Sequence, residues 1–160
     1  MKKSLRQVGD SIFDKRMLRL AEKYPYHSFV IMSSALEFLG KCYRMIGNFQ
    51  EGGHARDNIK SAIENLSALS AYNDYSEKMY KSLRCGMLHA FIPDGIILKR
   101  GANDLANNRI GIQQFCNDLR KAWEELKRSK RHMDYIRGKN VLNVIGKLSG
   151  DTQTDISQSI

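Results

Sequence analysis

The stretch Phe29-Val30-Ile31-Met32-Ser33-Ser34-Ala35-Leu36-Glu37-Phe38-Leu39-Gly40-Lys41-Cys42-Tyr43-Arg44-Met45-Ile46 decides the fold class. Phe29, Met32, Leu36, Leu39, Tyr43 and Ile46 recur at three and four residues, which places them on one face of an α-helix; a half-buried strand would alternate instead. Gly47-Asn48 then supplies a stop. Ser33, Ser34 and Glu37 interrupt the apolar run, which is too short to cross about 30 Å of hydrocarbon, so a core helix is expected and not a membrane span.

Outward from this helix the same spacing repeats. After the breaker Gly52-Gly53 come Ile59, Ala62, Ile63, Leu66 and Leu69. The next helix is predicted to start at Asp74, whose carboxylate can accept from first-turn amides while Glu77 sits three residues on, a capping-box arrangement. It should run through Met79, Leu83 and Met87. Ile112, Phe115, Leu119, Ala122 and Leu126 mark a late helix with Trp123 beside its stripe. Val141, Val144, Ile145 and Leu148 predict a short last helix, and Phe13, Met17, Leu20 and Ala21 an N-terminal one. Ile96-Ile97-Leu98-Lys99 and Arg109-Ile110-Gly111-Ile112 flank a Gly-, Asn- and Asp-rich stretch, which predicts a small β-hairpin near residues 96–112. The expected architecture is an all-α helical bundle of four to six helices carrying that hairpin, one domain over residues 1–148 and a flexible tail over 149–160.

Composition bounds the function classes. The chain has 160 residues with 26 Lys plus Arg against 17 Asp plus Glu, a formal charge of +9, and is 42% hydrophobic and 27% charged. A domain of this size can bury a real core without disulfides or metal, and the composition excludes collagen-like order and wholesale disorder. The charges near Met1-Lys2-Lys3 are not followed by the apolar run of a signal peptide, so a cytoplasmic protein without a membrane partner is expected. Cys42, Cys85 and Cys116 are odd in number and widely spaced, which fits reduced thiols. No Cys-x2-Cys or His-x3-His pair points to zinc, and Gly52-Gly53 lacks the Lys-Ser or Lys-Thr of a phosphate loop, so neither metal nor cofactor is expected. His27, His54 and His132 are read as surface residues.

More than half of the net charge lies in residues 120–139, where Arg120, Lys121, Lys127, Arg128, Lys130, Arg131, Arg137 and Lys139 face only Glu124, Glu125 and Asp134. Such a run attracts phosphate backbones without reading sequence, or forms a solvated helix face. Lys127, Arg128, Lys130 and Arg131 are the candidate phosphate contacts within it.

One constellation carries chemistry. Arg84-Cys85-Gly86-Met87-Leu88-His89 precedes Pro93, which should end regular helix near Ile92 and leave His89 in a last turn. There the partial negative charge of the helix end favours imidazolium, which suits a general acid. On a regular helix Arg84 and His89 lie about 140° apart around the axis and about 7.5 Å apart along it, so one helix cannot aim both at one atom. Tyr72, Met79, Leu83 and Met87 form the core side, while Lys81, Cys85 and Leu88 lie roughly opposite. Two copies meeting through the Cys85 and Leu88 face, closely approached along the small residues Ser82, Gly86 and Ala90, would bring Arg84 of one chain toward His89 of the other.

The pattern resembles the HEPN superfamily, all-α proteins marked by an Arg, four to six residues and a His near a helix end. Arg84 and His89, with four residues between them, match the motif, and a preceding long helix bearing Glu corresponds to Phe29–Ile46 with Glu37. Where family members commonly carry a polar residue, often Asn, after the Arg, this chain has Cys85. The resemblance implies a metal-independent endoribonuclease acting as a homodimer on RNA, often as a toxin or defence protein with a neutralising antitoxin. Attack of a ribose 2′-hydroxyl on the adjacent phosphorus would use His89 for proton transfer and Arg84 as a bidentate clamp on the phosphoryl oxygens. Lys78 and Lys81 would hold flanking phosphates and Tyr80 would offer a ring for base stacking. The alternative is a non-catalytic module of the same fold, using the helix for self-association or for a partner such as a nucleotidyltransferase, with Arg84 and His89 satisfying helix-end carbonyls or pairing with Glu37 or Glu64.

Overall fold

A computed structural model describes residues 2–14, 19–21, 23–49, 52–82 and 95–142. The first elements are strand β1 (Lys2–Ser4) and helix α1 (Leu5–Ile12), earlier than the helix expected around Phe13. A capping box sets that start. The Gln7 amide donates to Ser4 Oγ at 3.3 Å, and the Ser4 amide donates to Gln7 Oε1 at 3.0 Å. Phe13 is buried just past the helix end, Ala21 is buried, and Leu20, expected in the core, is 44% exposed. Met17 lies outside the described residues.

Helix α2 (Pro25–Arg44) is the central helix of the sequence reading. Pro25 suits its first turn, where the missing amide and fixed φ are no loss. Phe29, Met32, Leu36 and Leu39 are buried, as are Ala35, Phe38 and Cys42, while Tyr43 and Ile46 are half-buried. The helix stops before the predicted Gly47, at Met45 in the left-handed region (φ 50°). The Ile46 amide reaches back to the Lys41 carbonyl at 3.3 Å, the six-to-one bond that closes a helix end. Helix α3 (Ala55–Asn65) packs on α2 and buries Ile59, Ala62 and Ile63. The two backbones meet at Gly40, where a Cβ would sit 1.8 Å from the Asn58 carbonyl oxygen.

Leu66 and Leu69 are also buried, but the chain has by then tightened into a 3₁₀ helix (Ser67–Tyr75). A short α-helix, α4 (Ser76–Met79), and a wider π-helical turn over 80–82 follow. Asp74 therefore lies inside the 3₁₀ segment and caps no helix, and over residues 76–82 the predicted regular helix is replaced by one α turn and a π turn, while Leu83 and Met87 lie outside the described residues. The exposed donors of this segment find Glu125 instead, which accepts from the Ser67 amide at 3.0 Å and the Ala68 amide at 3.2 Å, and Glu77 pairs with Arg56 at 2.8 Å.

Strands β2 (Ile97–Lys99) and β3 (Arg109–Gly111) are the two segments read as a hairpin, but they pair in parallel, Ile97 opposite Arg109 and Lys99 opposite Gly111. The reversal is local. Asp104 and Arg109 exchange both backbone bonds at 2.9 Å around a 3₁₀ turn (Leu105–Asn107) and left-handed Asn108, so β3 sets off in the direction of β2. Helix α5 (Ile112–Arg128) follows with Ile112, Phe115, Leu119, Ala122, Trp123 and Leu126 buried, then α6 (Lys130–Gly138) and β4 (Asn140–Leu142). Val141 thus lies in a strand antiparallel to β1, opposite Lys3, and not in a last helix. An extended β-branched residue after Gly138 finds its backbone partners on the N-terminal segment. Val144, Ile145, Leu148 and the tail lie outside the described residues. The molecule is an all-α bundle with small β elements. Its buried cluster runs from Leu5 to Ile136, and Trp123 stacks on Phe13 (ring centroids 5.5 Å apart) and meets Phe38 edge-on (5.9 Å). No described helix is long and apolar enough to cross a membrane.

Candidate nucleic-acid interface

Helix α5 carries its apolar stripe inward, and the 3.6-residue period therefore sends Asn117, Arg120, Lys121, Glu124 and Arg128 outward along one face. With Phe13 beneath them these residues line a groove of about 390 Å³. Among the described residues, three cations face one carboxylate there. Lys121 lies 3.6 Å from Asp118, and Glu124 pairs with Lys127 at 2.7 Å. Arg120 and Arg128 have no acidic partner among the described residues, nor do Lys130 and Arg131, which are exposed at the start of α6. Arg128 also sits in the last turn of α5, where the carbonyl end of the helix favours a cation. The face can hold phosphates by charge and by guanidinium forks, and it offers no exposed ring for stacking, because Phe13 is buried.

Lys127 belongs to a different arrangement. Its side chain is only 19% exposed, its Nζ lies 3.2 Å from Asp10 Oδ1, and the same oxygen accepts from Trp123 Nε1 at 2.9 Å. Burial alone would raise the Asp10 carboxyl, but the Trp123 and Lys127 hydrogen bonds outweigh it and hold the group below its ordinary value. Burial likewise lowers Lys127, and the bonds to Glu124 and Asp10 more than reverse this. Lys127 therefore ties α1 to α5 and is not an open phosphate contact. Its spacing from Trp123 and Glu124 is visible in the sequence, whereas Asp10 lies more than a hundred positions away.

Other predicted site residues divide similarly. Lys81 is exposed and lies 3.7 Å from Glu77. Lys78 is half-buried and donates to Asn108 Oδ1 at 2.7 Å, and Tyr80 is half-buried against the core. These two do not form the open phosphate and stacking surface expected of them. The irregular helix explains this, because a 3₁₀ segment, one α turn and a π turn rotate side chains differently from a uniform 100° per residue. The angle drawn between Arg84 and His89 rests on the same uniform helix. Arg84, Cys85, Gly86, Leu88 and His89 lie outside the described residues. Glu37, a proposed partner of Arg84, lies 3.7 Å from Lys41, and Glu64 lies 3.7 Å from Lys60.

His132, read as a bare surface residue, is held on both ring nitrogens. Nδ1 is 2.8 Å from Ser129 Oγ, Nε2 is 3.2 Å from the Tyr43 carbonyl, and the ring stacks on Tyr43 at 5.0 Å. It fixes α6 against α2. Among the described residues no group of three His, Cys, Asp or Glu could hold a metal ion. Comparison with protein-family models, curated proteins and solved structures finds no match to this chain.

Proposed function

We propose that the chain is an RNA-binding helical protein of the HEPN type, a metal-independent endoribonuclease that acts through Arg84 and His89 at a homodimer interface. The observation that carries the RNA-binding part is the basic surface of α5 and α6, where Arg120 and Arg128 line a groove and, like Lys130 and Arg131, have no acidic partner among the described residues. Cations left unpaired in the fold are available to replace counterions on a phosphate backbone. Arg84 and His89 supply the chemistry in this reading, the guanidinium bracing charge that grows on phosphorus oxygens and the imidazole moving the 2′-hydroxyl proton. An antitoxin or nucleotidyltransferase partner follows from the same resemblance.

A second reading is favoured by one observation. Lys78 is bound to Asn108 and Tyr80 packs on the core, which removes two of the contacts that would lead RNA to the motif. The chain is then a non-catalytic dimerisation or interaction module. The two readings separate on single-stranded RNA in EDTA. The enzyme reading expects cleavage that persists without metal, falls about 100-fold or more in His89→Ala, and falls in Arg84→Lys while RNA affinity is retained. RNA bound but not cut by the wild type leaves the module, and RNA neither bound nor cut removes both RNA roles.

A further inference from the structure

A cavity of about 260 Å³ opens where α2 ends and α3 begins, apart in sequence from the basic residues of α5 and α6, and Lys41, Arg44, Gly52, Gly53, His54 and Asn58 are among its lining residues. Among the described residues that line it there is no carboxylate. Arg44, in the exposed last turn of α2, donates from Nη1 to Asn58 Oδ1 at 2.7 Å, which uses one of its five N–H groups and fixes the guanidinium at the cavity wall. Lys41 sits beside it, with Nζ 3.7 Å from Glu37 and donating to the Phe49 carbonyl at 3.3 Å.

Asn58 is the second observation. It is 1% exposed, its oxygen is taken by Arg44, and its Nδ2 donates to no group among the described residues. A buried amide N–H2 left without an acceptor is costly, and native structures rarely keep one beside a cavity unless something else accepts from it. The first turn of α3 adds donors of the same kind. His54 is its N-cap in the left-handed region (φ 57°) and makes no capping bond, and its Nδ1 lies 3.4 Å from Asp57 Oδ2. The amides of Ala55, Arg56 and Asp57 have no intrahelical acceptor, as in any helix. Arg44 and Asn58 Nδ2 thus present donors to this cavity, Lys41 and Arg44 bring two positive charges to its wall, and α3 starts at His54 on the same wall.

We infer that this cavity binds a phosphate group, either free or as the terminal monoester of a longer molecule. Arg44 forks onto two of its oxygens, Asn58 Nδ2 donates to another, and Lys41 supplies the second positive charge. Size selects the class. At roughly 30 Å³ per water the cavity holds about eight waters, enough for a tetrahedral oxyanion, and it is smaller than the roughly 300–1,000 Å³ that encloses a drug-sized ligand. The phosphate is therefore free, or it is the end of a chain whose remainder stays outside.

Titration calorimetry on the full chain tests this with inorganic phosphate and with one short oligoribonucleotide carrying either a 5′-phosphate or a 5′-hydroxyl. Saturable binding of inorganic phosphate is expected. Asn58→Asp keeps the shape and the acceptor for Arg44 but puts a carboxylate in the cavity, and it should weaken phosphate binding at least tenfold. Arg44→Gln, at an exposed position that tolerates change, should act in the same direction and decides the matter if Asn58→Asp melts early. Reversal of Arg128, Lys130 and Arg131 to Glu should leave inorganic phosphate affinity unchanged, which keeps this site distinct from the RNA face. A 5′-phosphate preference of tenfold or more assigns the site to an RNA end, and equal oligonucleotide affinities with retained phosphate binding assign it to free phosphate. No saturable phosphate binding, or equal affinity in wild type and Arg44→Gln, overturns the proposal.

Discussion

Tyr72 shows how much a single buried hydroxyl can organise. It donates to Asp118 Oδ2 at 2.9 Å and accepts from Asn103 Nδ2 at 2.7 Å, while Asn103 Oδ1 accepts from the Gly111 amide at 2.8 Å. Burial pushes the phenol well above its ordinary pKa, the Asn103 bond opposes this, and the neighbouring Asp118 adds to it, so the hydroxyl stays protonated and keeps its donor. Removing it in Tyr72→Phe leaves a nearly buried carboxylate and an amide each short of a partner. The expected loss is about 1–3 kcal/mol, seen as a lower urea midpoint with an unchanged slope. An unchanged midpoint would mean that water replaces the hydroxyl. Tyr72 is legible in the sequence as a core position, but its partners come from other elements, and no local spacing announces them.

Between elements, the α2–α3 contact turns on the absence of one side chain. Gly40→Ala would drive a methyl into the Asn58 backbone, which has no flexible end to move aside, and should cost about 1–3 kcal/mol or more as the helices separate. Gly138, inside α6 and with nothing within 4 Å of a Cβ built there, gives the opposite sign: Gly138→Ala should stabilise by about 0.4–1 kcal/mol by reducing the freedom of the unfolded chain. Thermal melts of the two variants should therefore move in opposite directions, and a parallel shift would show that helix propensity, not the close approach, governs position 40. The sequence presents both as glycines within helical patterns. Only the neighbouring backbone tells them apart.

Across the whole molecule, the net charge of +9 is distributed unevenly, and the fold sorts structural cations from available ones. Lys127 is drawn into the Trp123 and Asp10 cluster, whereas Arg128, Lys130 and Arg131 stay on the surface. Reversing those three to Glu should lower the slope of log affinity for single-stranded RNA against log salt by about 2, at about 0.7 per lost phosphate contact. Binding measured over a range of salt concentrations checks this, and equal slopes would identify the face as merely solvated. The same change at Lys127 should instead loosen α1 and lower stability.

Periodicity in the sequence by itself determined the helical class, the burial of Phe29, Met32, Leu36 and Leu39, and the whole inward stripe of α5, because a 3.6-residue repeat is a local property that burial then enforces. It also located the excess of positive charge. The tertiary structure alone decided that Ile97–Lys99 and Arg109–Gly111 run parallel, that Val141 pairs with Lys3, that the segment after Leu66 winds as 3₁₀ and π turns, and which basic residues find carboxylates among the described residues. Each of these depends on backbone groups or charges finding partners far away in the chain, Glu125 for the Ser67 amide or Asp10 for Lys127. The phosphate cavity is of the same kind: Arg44 stands apart in sequence from His54 and Asn58, and meets them because Gly40 lets α3 lie directly against α2.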